Sequence, residues 1–179
     1  YFDEGRKFPE SLKKEVAIAM KKVEDTMGMK YGDPDNCLLV SCRSGARKSM
    51  PGRMETVLNV GLCSRTIPGI IKKTNNPRFV WDAYRRLIMM YSDVVMEKAE
   101  DIEPVDGKGI RVQLDHMMHE LKKAKGYKLD TDLSTDDLIG LCEAFKKRIK
   151  EALGRDFPDD PQEQLWGGIG AVFKSWNGR

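Results

Sequence analysis

From Pro9 onward the apolar positions Leu12, Val16, Met20, Val23 and Met27 recur at steps of three or four, which lines them along one face of a helix. Gly28 follows where a left-handed helix stop is favoured. After the turn signal Gly32-Asp33-Pro34-Asp35-Asn36 the pattern changes. Leu38-Leu39-Val40-Ser41-Cys42 is a short apolar run that predicts a buried strand, the clearest in the chain. Val57-Leu58-Asn59-Val60-Gly61-Leu62 predicts a second short strand, and residues 64–73 a short helix ended by Asn75-Asn76-Pro77.

The helical period then dominates. Phe79, Trp81, Tyr84, Leu87, Ile88, Tyr91, Val94 and Val95 predict a long helix over 79–96 with a wide apolar face, its aromatics read as core. Residues 110–125 carry Leu114, Met117, Met118 and Leu121 on one face and stop at Gly126. Ser134-Thr135-Asp136-Asp137 has the form of a capping box, opening a helix that carries Leu138, Leu141, Cys142, Phe145 and Ile149 and closes at Gly154. Pro161 opens a last helix with Leu165, Trp166, Ile169, Val172, Phe173 and Trp176. The expected class is α+β, predominantly helical, with one or two short strands. Residues 1–97 are expected to form a first lobe, and 98–179 a helical subdomain whose apolar faces pack on themselves or on that lobe.

Composition narrows the function classes. With 40% hydrophobic and 33% charged residues over 179 positions, the chain suits one ordinary domain or two small lobes around a thin core. Its 31 basic and 28 acidic residues leave a net charge of +3, which is no nucleic-acid signature without local clustering. The four cysteines, Cys37, Cys42, Cys63 and Cys142, match neither zinc-knuckle nor disulfide-framework spacing, so a reducing compartment is expected. No apolar run approaches the roughly 20 residues that cross a bilayer, and a soluble protein with no membrane partner is expected. No signal peptide is readable after Tyr1, and both ends read as the cut boundaries of an excised piece.

The segment between the two strands carries the distinctive chemistry. Arg43-Ser44-Gly45-Ala46-Arg47-Lys48-Ser49-Met50-Pro51-Gly52-Arg53-Met54-Glu55-Thr56 has glycines, a proline and four basic side chains but no sustained period, as a long functional loop does. Guanidinium groups grip phosphate oxygens two at a time, and glycines let backbone N–H groups approach them. Arg43, Arg47, Lys48 and Arg53 with Gly45 and Gly52 supply both. On residue chemistry alone, anion binding and a solvated basic loop stand about even. The loop has no Gly-Lys-Ser/Thr triplet and is not a Walker loop.

Weaker motifs have plainer readings. Asp130-x-Asp132-x-Ser134 begins like a calcium loop, but Thr135 stands at the turn glycine and Leu141 at the bidentate glutamate, so a helix cap is expected. His116 and His119 lie one turn apart without a third ligand, as on an exposed helix face. Gly167-Gly168-Ile169-Gly170 lacks the preceding strand of a dinucleotide fingerprint, so close helix packing is expected there.

The stretch Ser41 to Leu62, with its Ser49-Met50-Pro51-Gly52 element, resembles the signature of the pyruvate phosphate dikinases. Asn76-Pro77-Arg78-Phe79, Tyr84-Arg85-Arg86, Met90-Tyr91-Ser92-Asp93-Val94-Val95-Met96 and Phe173-Lys174-Ser175-Trp176 continue the likeness in order, weakest over 98–125. The resemblance implies an internal fragment of an ATP-grasp nucleotide-binding domain, with ATP between two lobes. It also implies a swivelling phosphohistidine domain, which takes the β-phosphoryl group and carries it to a pyruvate-binding barrel, with Mg²⁺ and phosphate taking part. By that carry-over Arg43 is the phosphate-binding, catalytic arginine. Gly45, Ala46, Arg47, Ser49, Met50, Pro51, Gly52, Met54, Glu55 and Thr56 are the covering loop, and Arg86 touches phosphate, docks the swivelling domain or forms a salt bridge in the helical core.

Cys42, Lys48, Arg53, Glu55 and Cys63 depart from the family's usual valine, alanine, methionine, aspartate and asparagine. The metal ligands, the second lobe and the carrier histidine are expected outside this chain, which is therefore expected to be inactive alone. The parent is expected to be a cytoplasmic or organellar homo-oligomer that binds no nucleic acid. The alternative is a helical module using its basic loop on nucleic acid or another phosphorylated partner; the lack of aromatics interleaved with that loop counts against it.

Overall fold

The computed structural model describes residues 5, 7–45 and 54–176. Six α-helices and a few short strands make it predominantly helical α+β, the expected class. Helix α1 spans Glu10–Met27 and ends at Gly28, whose φ of 67° is the left-handed stop read from the sequence. Its stripe is only half covered: Val16 and Met20 lean on the core, while Val23 and Met27 stay exposed.

The single strand expected over 38–42 forms instead as parts of two. Strand β2 (Cys37–Leu38) pairs in parallel with β1 (Lys30–Tyr31), and β3 (Val40–Cys42) pairs antiparallel with β4 (Val57–Val60). The chain changes partners at Leu39, so a single hydrophobic run serves two ladders. Two residues of β1 are too few to show a period of two, which is why the sequence pattern does not announce it.

Helix α2 (Ile67–Thr74) and helix α3 (Pro77–Tyr91) follow, the second capped by the Asn76 side chain, which accepts from the Phe79 N–H at 3.1 Å. The expected helix over 79–96 does not continue as α-helix. At Ser92 it widens into a π-helical stretch, Ser92–Lys98, in which the Ala99 and Ile102 N–H groups reach back five residues to Val94 and Glu97. Ser92 to Glu97 are all buried, which a single helical stripe cannot achieve.

Helix α3 is the centre of the core. Val80, Tyr84, Leu87 and Ile88 pack against β4 and against Leu138, Leu141, Phe145 and Ile149 of α5 (Thr135–Leu153). Phe157 meets Tyr84 and Tyr91 edge-on, with ring centroids 6.2 and 5.5 Å away. Helix α4 (Ile110–Lys125) adds Ile110, Leu114 and Met118. The capping box of α5 forms as expected: Ser134 Oγ accepts from the Asp137 N–H at 3.1 Å, and Asp137 accepts from the Ser134 N–H at 2.9 Å. Asp132 accepts from the Lys128 and Leu129 N–H groups, so this acidic run serves as caps and turns.

Helix α6 (Pro161–Trp176) is fastened by polar groups rather than by oil alone. The fully buried Gln164 accepts from the Gly61 N–H at 2.9 Å and donates to the Leu62 and Pro158 carbonyls at 2.8 and 2.9 Å. Losing it would strand all three backbone groups. Gly167 and Gly168 are the close-packing glycines expected: a Cβ would meet the Tyr91 hydroxyl at 2.1 Å and the Cys42 sulfur at 2.8 Å, respectively. All four cysteines are buried free thiols. Among the described residues no helix is long and apolar enough to cross a membrane.

Candidate functional site

The register of β3 and β4 builds the site's frame. Cys42 pairs with Val57, so Arg43 and Thr56 leave the ladder at the same end. Strand alternation decides what faces out. Cys42 turns inward beneath Gly168 of α6, while Ser41 and Arg43 point to solvent. No described side chain pairs with the Arg43 guanidinium. Beyond it Ser44 is half-buried, and Gly45 has no atom within 4 Å of where a Cβ would stand, which leaves its backbone open to approach. Of the expected covering loop, Ala46, Arg47, Ser49, Met50, Pro51 and Gly52 lie outside the described residues, as do Lys48 and Arg53.

The segment re-emerges at Met54, which packs half-buried against the core, followed by exposed Glu55 and half-buried Thr56. Both ends are tied to the helical half. Trp176 Nε1 donates to Ser44 Oγ at 2.9 Å, and Arg111 donates to Glu55 Oε2 at 3.0 Å. The same guanidinium lies 3.7 Å from Asp93 Oδ2, which Lys98 also approaches at 3.1 Å. Asp93 is buried in the π-helical stretch, so an ion network runs from the loop end into the core. One turn on, buried Glu97 accepts from the Ile110 N–H at 2.8 Å, beneath the N-terminus of α4. Burial raises its carboxyl pKa, and the Ile110 N–H opposes the rise.

Arg86 stands apart. It is exposed on α3 and pairs with Asp82 Oδ2 at 3.1 Å, while the other oxygen of Asp82 takes Arg85 at 2.8 Å. No described contact joins Arg86 to Arg43 or to Glu55. Its neighbourhood is the turn at Asp130, which Lys122 of α4 also holds at 2.7 Å. Lys122 is eleven positions along α4 from Arg111, a separation of about 16 Å on a helix.

Sequence reasoning missed Arg111 and Asp93. Asp93 sits in a quoted motif, but an acidic residue in an apolar helix carries no sign of its partner; Arg111 lies within 98–125, where the likeness is weakest. His116 and His119 lie exposed on α4 as expected. A groove of about 500 Å³ opens between α6 and the π-helical stretch, lined by Phe8, Tyr91, Val95, Trp166 and Lys174 among others, and none of the expected site residues that are described borders it.

No family model matches the chain. Curated relatives do. The pyruvate, phosphate dikinase of Clostridium symbiosum is 43% identical over 178 residues, 99% of this chain and 19% of its own length. That of Rhizobium meliloti is 40% identical over 176 residues, 98% of this chain and 18% of its own. The chloroplastic pyruvate, phosphate dikinase 1 of Arabidopsis thaliana is 41% identical over 174 residues, 97% and 17%. The chain thus spans about a fifth of the length of the curated relatives it matches. Aligned along nearly its whole length with proteins that share one name, it belongs to the pyruvate, phosphate dikinase family, as the counterpart of one stretch of those longer proteins.

Proposed function

We propose that this chain is the part of a pyruvate, phosphate dikinase that grips the phosphates of ATP, with Arg43 as the guanidinium that meets them. The observation that carries the reading is the placement of Arg43. It is exposed, without a described partner, at the end of a two-stranded ladder, and the next residues are the glycine-bearing signature. An arginine already saturated by carboxylates would have little left to offer a phosphate.

The longer protein would interconvert ATP, pyruvate and phosphate with AMP, phosphoenolpyruvate and diphosphate, using a phosphohistidine on a swivelling domain and a pyruvate-binding barrel. Within it the present chain would supply one wall of an ATP-grasp cleft, with residues 98–179 continuing toward the rest of the nucleotide-binding domain. Catalysis of phosphoryl transfer is chiefly positioning and charge neutralisation, the work of Arg43 and of N–H groups near Gly45. Gly45 to Thr56 would cover the phosphates. Arg86, sharing Asp82 with Arg85, would reach either a phosphate or the swivelling domain. Mg²⁺, when bound, would offset phosphate charge. Its ligands would lie in parts of the longer protein outside this chain, as the family likeness implies. The exposed apolar stripe of α1 would likewise be covered there. The protein would act as a homo-oligomer in the cytoplasm or an organelle, and this chain alone would not turn over.

The test separates the two half-reactions of the full-length enzyme. Arg43→Ala abolishes phosphorylation of the carrier histidine by ATP and leaves transfer between phosphohistidine and pyruvate intact. Unchanged histidine phosphorylation would remove Arg43 from the mechanism.

A further inference from the structure

Residues 46–53 join two described ends, and each end is held by a side chain from a different helix of the C-terminal half. Ser44, next to Arg43, accepts from the Trp176 indole at the end of α6. Glu55 accepts from Arg111 in the first turn of α4. Both contacts lie at the surface, and each helix-borne side chain has a second neighbour. Trp176 is in edge contact with Phe173 at 5.6 Å, and Arg111 is backed by Asp93, whose side chain is only 5% exposed. The Arg111 guanidinium lies 3.7 Å from Asp93 Oδ2 on one side and donates to Glu55 on the other, so it bridges the buried carboxylate and Glu55.

We propose that Arg111 and Trp176 are positioning residues for the phosphate site: they fix Glu55 and Ser44, and through Ser44 the direction in which Arg43 leaves β3. The inference rests on the reading of Arg43 given above. It adds that the α4 and α6 ends, which contribute no group to the nucleotide, set how well that arginine is aimed. Positioning of this kind acts on binding of the phosphates before it acts on chemistry.

A double-mutant cycle in the full-length dikinase tests it, with ATP-driven phosphorylation of the carrier histidine as readout. Glu55→Gln and Arg111→Gln each raise KM for ATP about three- to fivefold, the size expected for one partly screened ion pair. The pyruvate half-reaction stays near wild type. The double variant Glu55→Gln/Arg111→Gln raises KM no further than the larger single change, because both break the same pair, whereas independent structural losses would multiply. Trp176→Phe keeps an aromatic ring and removes the N–H, and it also raises KM for ATP with the pyruvate half-reaction unaffected. The proposal is overturned if Arg43→Ala is dead while the single variants leave KM unchanged, or if the effect of the double variant is the product of the two singles. If Arg43→Ala itself phosphorylates the histidine normally, the reading of the site fails and this inference with it.

Discussion

The hydroxyl of Tyr91 donates to the Gln164 carbonyl at 3.1 Å, and a Cβ on Gly167 would come within 2.1 Å of that same oxygen. The last α-helical residue of α3 and the second turn of α6 thus touch through a hydroxyl on one side and a missing methyl on the other. Gly167→Ala is expected to lower stability by about 1–3 kcal/mol, the usual cost of overpacking a site that cannot relax. Chemical denaturation of the 179-residue chain measures it. Tyr91→Phe removes the clashing oxygen, leaving the ring carbon at 3.3 Å, so Gly167→Ala costs less in the Tyr91→Phe background than alone. Equal costs in both backgrounds would show that the hydroxyl is not the obstacle.

Acid sensitivity has an identifiable source at the start of α5. The Lys125 ammonium and then the Ser134 N–H hold the Asp137 carboxyl down to a pKa of about 2. An unfolded aspartate titrates near 3.9, so the native state gains from this group above about pH 4 and loses the gain as pH falls toward 2. Buried Glu97, with its pKa raised by burial, works in the opposite sense, and comparing variants cancels it. Urea midpoints of the wild type and Asp137→Asn are therefore expected to differ at pH 6 and to converge near pH 2. A difference that persists unchanged at pH 2 would rule out the ion pair as its cause.

The sequence pattern carried most of this fold because each helix states its own limits. Gly28, Gly126 and Gly154 stop α1, α4 and α5 in the left-handed region, and Ser134 with Asp137 starts α5. What local pattern cannot carry is the change of partner at Leu39 and the widening at Ser92. Both depend on what lies opposite in space, not on the spacing of apolar residues. At the proposed site, Arg43 was singled out because it follows a strand in a basic, glycine-bearing segment and because the family likeness begins there. Arg111 was not, because its meaning comes from Asp93 and Glu55, which are far from it in the chain. Arg86 was named with three possible roles, and the structure shows one contact among them, the pair with Asp82.

The buried thiols are expected to be inert in the native state. Burial pushes Cys42 up to about 11 and Cys142 up to about 12, and raises Cys37 as well. At pH 8 the thiolate fraction of the first two is about a thousandth or less, and the thiolate is the reactive form. A thiol-reactive disulfide reagent should label the native chain slowly and release four equivalents on unfolding, one for each cysteine. Fast labelling of all four without denaturant would contradict the burial described above.

The central claim is that the Arg43 guanidinium meets the phosphates of a nucleotide. Its most direct test is a crystal structure of the longer dikinase with a non-hydrolysable ATP analogue. The expected result is Arg43 within about 3 Å of phosphate oxygens, the range of a charge-assisted hydrogen bond. A nucleotide bound elsewhere, with Arg43 facing bulk water, would contradict the account.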